Sequence, residues 1–523
     1  MNGAQALIRT LVDCGVDVCF ANPGTSEMHF VAALDDVPAM RPVLALFEGV
    51  ATGAADGYAR MAGRPAATLL HLGPGLGNGI ANLHNARRAH SPVVNIVGDH
   101  ATYHQRFDAP LQSDIAGLAG PVSCWYAEVT EPAALAPQAV AAVAGARRAP
   151  GGVATLVVPA DVSWTDGAAP AAPTPAAVSP RPGTSVEPAS VEAVAAVLRS
   201  GEPTALLLGG PAMAEAGLAA AARVASATST RLLSETFPAV HERGAGLPAV
   251  ERLAYLAELT ALQLGGLRHL VLVGAPHPVS FFAYPDKPSD LVPDGCTVHT
   301  LAAAGDDVVG ALAMLVDALD AAGAAVTTQP AQRPAMPGGG ALDAQSAAAV
   351  IGALLPEGAI VSDEANTSGL FVPGATAGAP RHTWLCLTGG AIGQGLPLAT
   401  GAAVACPDRK VLCLQADGSA LYTAQALWTQ AREGLDVTTV VFDNRSYAIL
   451  AMELGRVGAG TGGARARRML ELDDPPLDMV ALSKGMGVPA TRATTVEEFA
   501  EQLAKALAEP GPALVDAVVP PAV

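Results

Sequence analysis

Short runs of branched apolar residues recur along the 523-residue chain and alternate with alanine-rich stretches of helical length. The clearest runs cover residues 16–20, 43–47, 67–72, 93–97, 153–158, 205–208, 231–233, 270–273, 360–362, 411–414, 437–442 and 514–518. Because apolarity is continuous within a run, each predicted strand should be covered on both faces. The alternation of such strands with helices predicts an α/β fold made of open parallel sheets.

Two segments interrupt this alternation, at residues of about 166–187 and about 326–340. Both are rich in Pro, Gly, Ala and Thr and carry few large apolar side chains, which is typical of extended linkers. They predict three α/β domains, at residues 1–165, 188–325 and 341–523.

Composition excludes several classes of protein. The formal net charge is −18, which disfavours binding to nucleic acid or to anionic membranes. No uninterrupted apolar run reaches the ~18 residues of a membrane span, and the N-terminus lacks a secretory signal pattern. The 7 cysteines form no Cys-x-x-Cys pair, so we expect neither a zinc site nor a disulfide framework. These features predict a cytoplasmic protein.

Polar side chains follow two neighbouring predicted strands near the C-terminal end. Ala416-Asp417-Gly418-Ser419-Ala420 follows one strand, and Asn444 follows the next. Ligands of open α/β sheets collect beyond the carboxyl ends of strands, and Mg²⁺ prefers oxygen ligands together with phosphate oxygens. The spacing favours a magnesium–diphosphate site, although an Asp-Gly turn and a strand-end asparagine would look the same in isolation.

Two N-terminal segments accompany this loop, Asn22-Pro23-Gly24-Thr25-Ser26-Glu27 and Leu46-Phe47-Glu48-Gly49-Val50. With these three motifs the chain resembles thiamin diphosphate (ThDP) enzymes of the acetolactate synthase and benzoylformate decarboxylase group. The resemblance implies that the first domain binds the pyrimidine, that the third binds the diphosphate, and that a central α/β domain separates them. It implies ThDP and Mg²⁺ as cofactors, with Ca²⁺ as a possible substitute. One departure is Ala416, where the family motif has glycine.

The resemblance also implies roles for individual residues. Glu48 would be catalytic and would hydrogen-bond the pyrimidine N1′, although an ordinary helix-start glutamate is the alternative. Ile392 would wedge the cofactor into a bent shape, unless it is simply a core residue. The metal ligands would be Asp417, Asn444 and the carbonyl of Ser446. The other implied cofactor contacts are Asn78, Asn366, Thr367, Gly389, Gly390, Gly418, Ser419 and Tyr447.

The implied substrate pocket is mixed in character. His71 and Thr25 correspond to catalytic pocket positions of benzoylformate decarboxylases, and the alternative for His71 is a strand-end histidine that caps the turn. Phe281-Phe282-Ala283-Tyr284 occupies the region of a second pocket histidine. Further pocket residues are expected at Leu111, Gln112 and Leu450. No flavin-binding pattern is visible in the middle domain, so FAD is not expected.

The sequence therefore predicts an enzyme that acts on a small 2-oxo acid by non-oxidative decarboxylation, carboligation or both. The alternatives are a true acetolactate synthase and a ThDP-binding paralogue without catalysis. A dinucleotide oxidoreductase is disfavoured, because no acidic ribose partner follows the glycine-rich turns. In the family the pyrimidine and diphosphate domains of different chains share each site. A homodimer is then the minimum assembly, with a tetramer expected, and neither nucleic acid nor membrane is an expected partner.

Overall fold

The computed structural model describes residues 1–179 and 183–522, which contain three β-sheets flanked by helices. Residues 180–182 of the first predicted linker and Val523 of the third predicted domain lie outside the described residues. The predicted α/β class with three open, largely parallel sheets is confirmed. Strands at the sheet centres are buried along their whole length, which explains their continuous apolar runs.

The first sheet consists of β1 (Val18–Asn22), β2 (Arg41–Leu44), β3 (Ala66–Leu70), β4 (Val93–Asp99), β5 (Trp125–Glu128) and β6 (Val153–Pro159). All six strands are parallel, in the order β2-β1-β3-β4-β6-β5. Its helices are α1 (Gly3–Asp13), α2 (Met28–Ala33), α3 (Glu48–Ala62), α4 (Leu72–Arg88), α5 (Ile115–Ala119), α6 (Pro132–Arg147), α7 (Ala160–Trp164) and α8 (Pro175–Val178). Short 3-10 helices cover Thr25–Glu27 and Gln105–Phe107.

The central sheet consists of β7 (Thr204–Leu208), β8 (Arg231–Ser234), β10 (Glu251–Arg252), β11 (His269–Val273) and β12 (Thr297–Ala302). These strands are also parallel, in the order β10-β8-β7-β11-β12. Its helices are α9 (Pro188–Arg199), α10 (Glu215–Thr228), α11 (Ala257–Leu264) and α12 (Val308–Ala318), with a 3-10 helix at Gly210–Met213.

The third sheet consists of β9 (His241–Arg243), β13 (Ile360–Glu364), β14 (His382–Cys386), β15 (Val411–Ala416), β16 (Val437–Asp443), β17 (Ala490–Ala493) and β18 (Ala513–Val518). Their order is β17-β18-β16-β15-β13-β14-β9. Its helices are α13 (Ala344–Leu354), α14 (Val372–Ala375), α15 (Gly395–Ala405), α16 (Asp417–Ala420), α17 (Ala426–Glu433), α18 (Ala448–Arg456), α19 (Ala464–Arg467), α20 (Met479–Gly485) and α21 (Val496–Ala508), with a 3-10 helix at Asn366–Gly369.

Three details differ from the sequence-based expectations. The strand predicted at residues 43–47 is β2, which ends at Leu44, because the chain turns there to begin α3. Strand β9 lies within the predicted central domain but pairs antiparallel with β14 of the third sheet. The first predicted linker is not wholly extended, since it contains α8 and buries Ala177 against the first sheet's core.

The first and third sheets of one chain are joined by α3 and α15, which pack at glycine contacts. A Cβ at Gly57 would lie 2.1 Å from the Leu398 carbonyl oxygen, and one at Gly401 would lie 1.8 Å from that of Ala54. Only glycine permits such close backbone approach. The buried Asp56–Arg60 ion pair of 2.6 Å adds a polar link, because Arg60 also donates to the Cys386 carbonyl oxygen.

Among residues 1–179 and 183–522, no helix has both the length and the apolar character that crossing a membrane requires.

Candidate cofactor site

Glu48 is the first residue of α3, just beyond the carboxyl end of β2, and its side chain is buried. Its Oε2 accepts a 3.0 Å hydrogen bond from Asn78 Nδ2 of α4. The same helix approaches Oε1, where a Cβ at Gly75 would stand 3.2 Å away. The structure therefore brings together two predicted site residues that lie 30 positions apart. It fixes a carboxyl group at the edge of the first sheet.

His71 immediately precedes α4 and is held by a glutamate that the sequence did not single out. His71 Nδ1 lies 2.8 Å from Glu27 Oε2, which also accepts a 2.7 Å hydrogen bond from Gly24 N. Glu27 is 2% exposed. Burial raises the pKa of its carboxyl, and the charge of His71 opposes that rise. Because Nδ1 faces Glu27, Nε2 is the ring nitrogen that makes no hydrogen bond within the described residues.

The sequence did contain a signal for Glu27, namely its position at the end of the short 3-10 helix after β1. That helix begins at Thr25, an exposed residue that the resemblance places in the substrate pocket. Gly24 allows the approach of His71, since a Cβ there would lie 2.3 Å from Nδ1. Thr25, Glu27 and His71 therefore cluster at one sheet edge.

The metal ligands implied by the resemblance lie on two adjacent loops. Asp417 follows β15 and is 2% exposed, and Asn444 follows β16. Asp417 Oδ1 accepts from Gly418 N at 2.8 Å and Oδ2 from Arg445 N at 2.7 Å. Asn444 Oδ1 accepts from Ser446 N at 3.0 Å. These bonds fix one carboxylate and one amide oxygen at the same edge and hold the backbone of Ser446 beside them.

This donor set fits a magnesium ion on chemical grounds. Burial raises the pKa of Asp417 to about 6, and the neighbouring Asp443 adds to the rise. A buried carboxylate beside a second carboxylate is stabilised when a divalent cation offsets their charge. All the donors are oxygens, which is the ligand type that Mg²⁺ prefers.

The predicted diphosphate contacts surround this loop. Asn444 Nδ2 donates to Ser368 Oγ at 3.2 Å, which ties the metal loop to the 3-10 helix containing Asn366 and Thr367. Gly418 lies under the Tyr447 ring, because a Cβ there would be 2.5 Å from Cε1. The hydroxyl of Ser419, a predicted phosphate donor, lies 3.3 Å from the Ala416 carbonyl oxygen. The turns after β13, β15 and β16 therefore converge, as the strand order requires.

Non-glycine residues with positive φ lie at the edges of both the first and the third sheet. Leu72 (φ 50°) follows His71, Asn366 (φ 50°) is itself a predicted contact, and Arg445 (φ 56°) separates Asn444 from Ser446. A left-handed conformation at such residues costs about 1–3 kcal/mol and persists only where the surroundings fix it. Of the eight such residues in the described part of the chain, these three lie at or beside predicted site residues.

The glycine-rich turn after β14 is held by residues of α4 and contacted by Phe281, which lies between β11 and β12. The Gly389 carbonyl oxygen lies 3.1 Å from His84 Nε2 of α4, and Asn85 Nδ2 donates to the Ala391 carbonyl oxygen at 2.8 Å. Gly390 has φ 73° and contacts Phe281, whose Cζ would be 2.6 Å from a Cβ. Ile392 lies half-buried at the end of the turn.

Glu364 is a second residue that the sequence did not single out. It ends β13, and its carboxyl oxygens accept from the backbone N–H groups of Gly393 and Gly395, both at 2.6 Å. Gln415 Nε2 adds a third hydrogen bond of 2.9 Å. Glu364 therefore fixes the turn that presents Ile392. The signal available for it was its position at the carboxyl end of a strand, directly before the predicted phosphate-binding turn at Asn366 and Thr367.

We predict a pH-dependent stability effect at Glu364. Burial raises the pKa of its carboxyl to about 7 from a reference of 4.5, despite its hydrogen bonds. The contribution of this group to the free energy of unfolding is therefore complete below pH about 4.5 and is lost as the pH rises through about 7. This contribution is on the order of 3 kcal/mol. The melting temperature of the parent should fall relative to that of Glu364→Gln between pH 5 and pH 8. A constant difference over that range would refute the assignment.

The predicted pocket residues lie around these edges. The segment containing Leu111 and Gln112 packs on the start of α4, where a Cβ at Gly73 would collide with the Ser113 side chain. Leu450 is 46% exposed on α18, directly after the metal loop. Phe281 of the central segment contacts Gly390 and forms an aromatic cluster with Phe237, Tyr255 and Phe282.

Within the described part of one chain, no hydrogen bond joins the Glu48 or His71 side chains to those of Asp417 or Asn444. Asn82 connects the two sheets through backbone groups, since its Nδ2 donates to the carbonyl oxygens of Gly49 at 2.8 Å and Gly393 at 3.4 Å. The first and third sheets thus carry two separate polar clusters.

Comparison with known proteins identifies the family of the chain. Residues 1–118 match the model of the thiamine pyrophosphate enzyme, N-terminal TPP binding domain, and residues 372–517 match that of the C-terminal TPP binding domain. The chain belongs to the family of ThDP-dependent enzymes that includes acetolactate synthases and benzoylformate decarboxylases.

Individual relatives refine the comparison. The chain is 62% identical over 521 residues to IlvX of Mycobacterium tuberculosis, a protein assigned by name to the acetolactate synthase large subunits, with 99% of each chain covered. It is 31% identical to a benzoylformate decarboxylase of Pseudomonas aeruginosa, with 96% of each covered. The fold resembles a ThDP-dependent 4-hydroxybenzoylformate decarboxylase of Rhodococcus jostii RHA1, with a TM-score of 0.86, 24% identity and 99% of each chain covered.

Proposed function

We propose that this protein is a ThDP- and Mg²⁺-dependent enzyme that acts on a 2-oxo acid by non-oxidative decarboxylation, carboligation or both. The observation that carries the proposal is the pair of polar clusters at the edges of the first and third sheets. One presents the buried Glu48 carboxyl, and the other presents the oxygen donors of Asp417, Asn444 and Ser446. Such clusters suit opposite ends of one elongated cofactor.

We further propose that each site is shared by two chains, so that a dimer is the smallest active unit and a tetramer is formed from two dimers. Support comes from large apolar side chains that are at least 37% exposed in a single chain near both clusters: Leu46, Leu111, Leu370, Leu421, Tyr422 and Leu450. Apolar surface of this kind is typical of faces that are covered in an assembly.

When bound, ThDP supplies the carbanion chemistry that cleaves or forms the bond next to a carbonyl group. The chain's own residues bind and orient the cofactor and the substrate, and they transfer protons. Glu48 would hold the pyrimidine ring of the bound cofactor by sharing a proton with it, and Asn78 fixes the orientation of the Glu48 carboxyl. His71 Nε2 gives or takes a proton at the substrate, while Glu27 holds the opposite ring nitrogen. Phe281 and Leu450 supply apolar walls that exclude water.

Flavin is not part of this proposal. In the central sheet the turn after β7 would be the place for a dinucleotide phosphate, but Glu235 occupies it. The Glu235 carboxyl accepts a hydrogen bond from the backbone of Gly210, and burial raises its pKa to about 7. The Glu235 side chain already fills the space beside this turn and takes up one of its backbone N–H groups, which a phosphate would otherwise need.

The direct test incubates the purified protein with ThDP, Mg²⁺ and a panel of 2-oxo acids with aliphatic and aromatic substituents. We expect carbon dioxide release from at least one acid. Acetolactate formed from pyruvate would instead favour the true acetolactate synthase. ThDP binding without turnover of any acid would favour the non-catalytic paralogue.

We predict that His71→Ala lowers kcat about 100-fold, a loss typical of a proton-transfer group, while ThDP affinity stays unchanged. Glu27→Gln should lower kcat by about tenfold and shift the pH profile, because Glu27 acts only through the His71 ring. Steady-state kinetics over pH 5–9 provide the measurement. An identical pH profile for Glu27→Gln and the parent would contradict the positioning role.

A further inference from the structure

A cavity of about 250 Å³ lies where the edge strand β10 of the central sheet meets β9 and β14 of the third. Its polar and aromatic lining comprises His241, Arg243, Arg252, Gln329, Trp384 and Cys386. This volume is below the roughly 300–1,000 Å³ of pockets for drug-sized ligands. A small ion therefore fits this cavity, and a dinucleotide does not.

Two arginines face the cavity, and neither forms a salt bridge with a carboxylate of the described residues. Arg243 donates one hydrogen bond, to the Pro373 carbonyl oxygen at 2.5 Å, and stacks 4.9 Å above the Trp384 ring. Arg252 makes a weak contact, with Nη1 3.9 Å from Cys386 Sγ. Each guanidinium has five N–H donors, so most of them remain available to a ligand.

Neighbouring groups leave a net positive charge. The carboxyl group whose charge interacts with both arginines is that of Asp363, which accepts a 3.1 Å hydrogen bond from Trp384 Nε1. Burial raises the pKa of Asp363, and the charge of Arg252 opposes that rise. Burial and both arginines lower the pKa of His241 to about 3, so this ring is neutral. Two cations beside one shared carboxyl group are unfavourable in a half-buried cavity unless an anion joins them.

We propose that this cavity binds a small oxyanion, a phosphate or dicarboxylate group, through the forked guanidinium groups of Arg243 and Arg252. The site is separate from the polar clusters of the proposed cofactor site but contacts elements that precede or follow the loops of the third-sheet cluster. Cys386 ends β14 before the Gly389 turn, and Pro373 belongs to α14, which follows the 3-10 helix at Asn366–Gly369. Occupancy of the cavity therefore stabilises the junction between the central and third sheets.

The experiment titrates inorganic phosphate, and separately malonate, into protein saturated with ThDP and Mg²⁺ at constant ionic strength. Saturation fills the diphosphate site beforehand, and calorimetry reports stoichiometry. We expect one saturable site per chain for at least one of the anions, and binding at least about tenfold weaker in Arg252→Gln. The control is Arg223→Gln, at an exposed arginine of α10, which should bind like the parent. The preferred anion distinguishes a phosphate from a dicarboxylate ligand.

A second readout locates the binding. An anion held by Arg243 should change the fluorescence of Trp384, and Trp384→Phe should abolish that change while the binding heat remains. Arg252→Lys keeps the charge and serves if Arg252→Gln does not fold; it should also bind more weakly, because lysine lacks the fork. Equal affinity of the Arg252 and Arg223 variants, or no saturable response to either anion, would overturn the proposal.

Discussion

Glu48→Gln is expected to fold normally and to slow exchange of the C2 proton of bound ThDP by about tenfold or more, equivalent to at least about 1.4 kcal/mol. The carboxyl group can share a proton with the pyrimidine ring, whereas an amide cannot. Glutamine has nearly the same shape, and its oxygen can still accept from Asn78, so packing at the start of α3 should persist.

Exchange of the C2 proton with deuterium, followed by NMR after rapid quenching, measures this step without a known substrate. Glu215→Gln is the matched control, because Glu215 is also the first residue of a helix but belongs to the central sheet. Its exchange rate should equal that of the parent. An undiminished rate in Glu48→Gln would remove this residue from the catalytic role.

Asp417→Ala is expected to weaken ThDP binding by about tenfold or more at millimolar Mg²⁺. The substitution removes the one carboxylate of the proposed metal site and the acceptor for the Gly418 and Arg445 backbone N–H groups. Both the metal and the loop that carries Asn444 are affected. Added Mg²⁺ should restore binding only in part.

Calorimetric titration of ThDP at several Mg²⁺ concentrations tests this expectation. Asp408→Ala, at an exposed position just before β15, provides the control and should bind ThDP as the parent does. Equal ThDP affinity for the two variants would show that Asp417 does not hold the metal.

The sequence anticipated those features that depend on local order. Asp417 and Asn444 could be placed because each lies just beyond a predicted strand, and carboxyl ends of neighbouring parallel strands share one edge. The α/β class followed from the same runs. Glu48 was placed by resemblance rather than by periodicity, and the structure gives it a partner, Asn78, that was expected to bind the cofactor.

The remaining features depend on contacts between distant residues. Glu27 and His71 are 44 positions apart, and the His84–Gly389 contact spans 305 positions. No local pattern fixes the register of such pairs. Strand β9 has 3 residues, too few for a periodic signal, and its pairing with β14 depends on how the central and third sheets meet.

Co-expression of Glu48→Gln and Asp417→Ala chains with different tags, followed by isolation of the mixed dimer, tests the shared site most directly. In a two-fold dimer with shared sites, one site receives both substitutions and the other receives neither, so about half of the parental C2 exchange activity should return. If each chain builds its own site, both sites of the mixed dimer are defective. C2 exchange activity no higher than that of the Glu48→Gln and Asp417→Ala homodimers would therefore contradict a site shared by two chains.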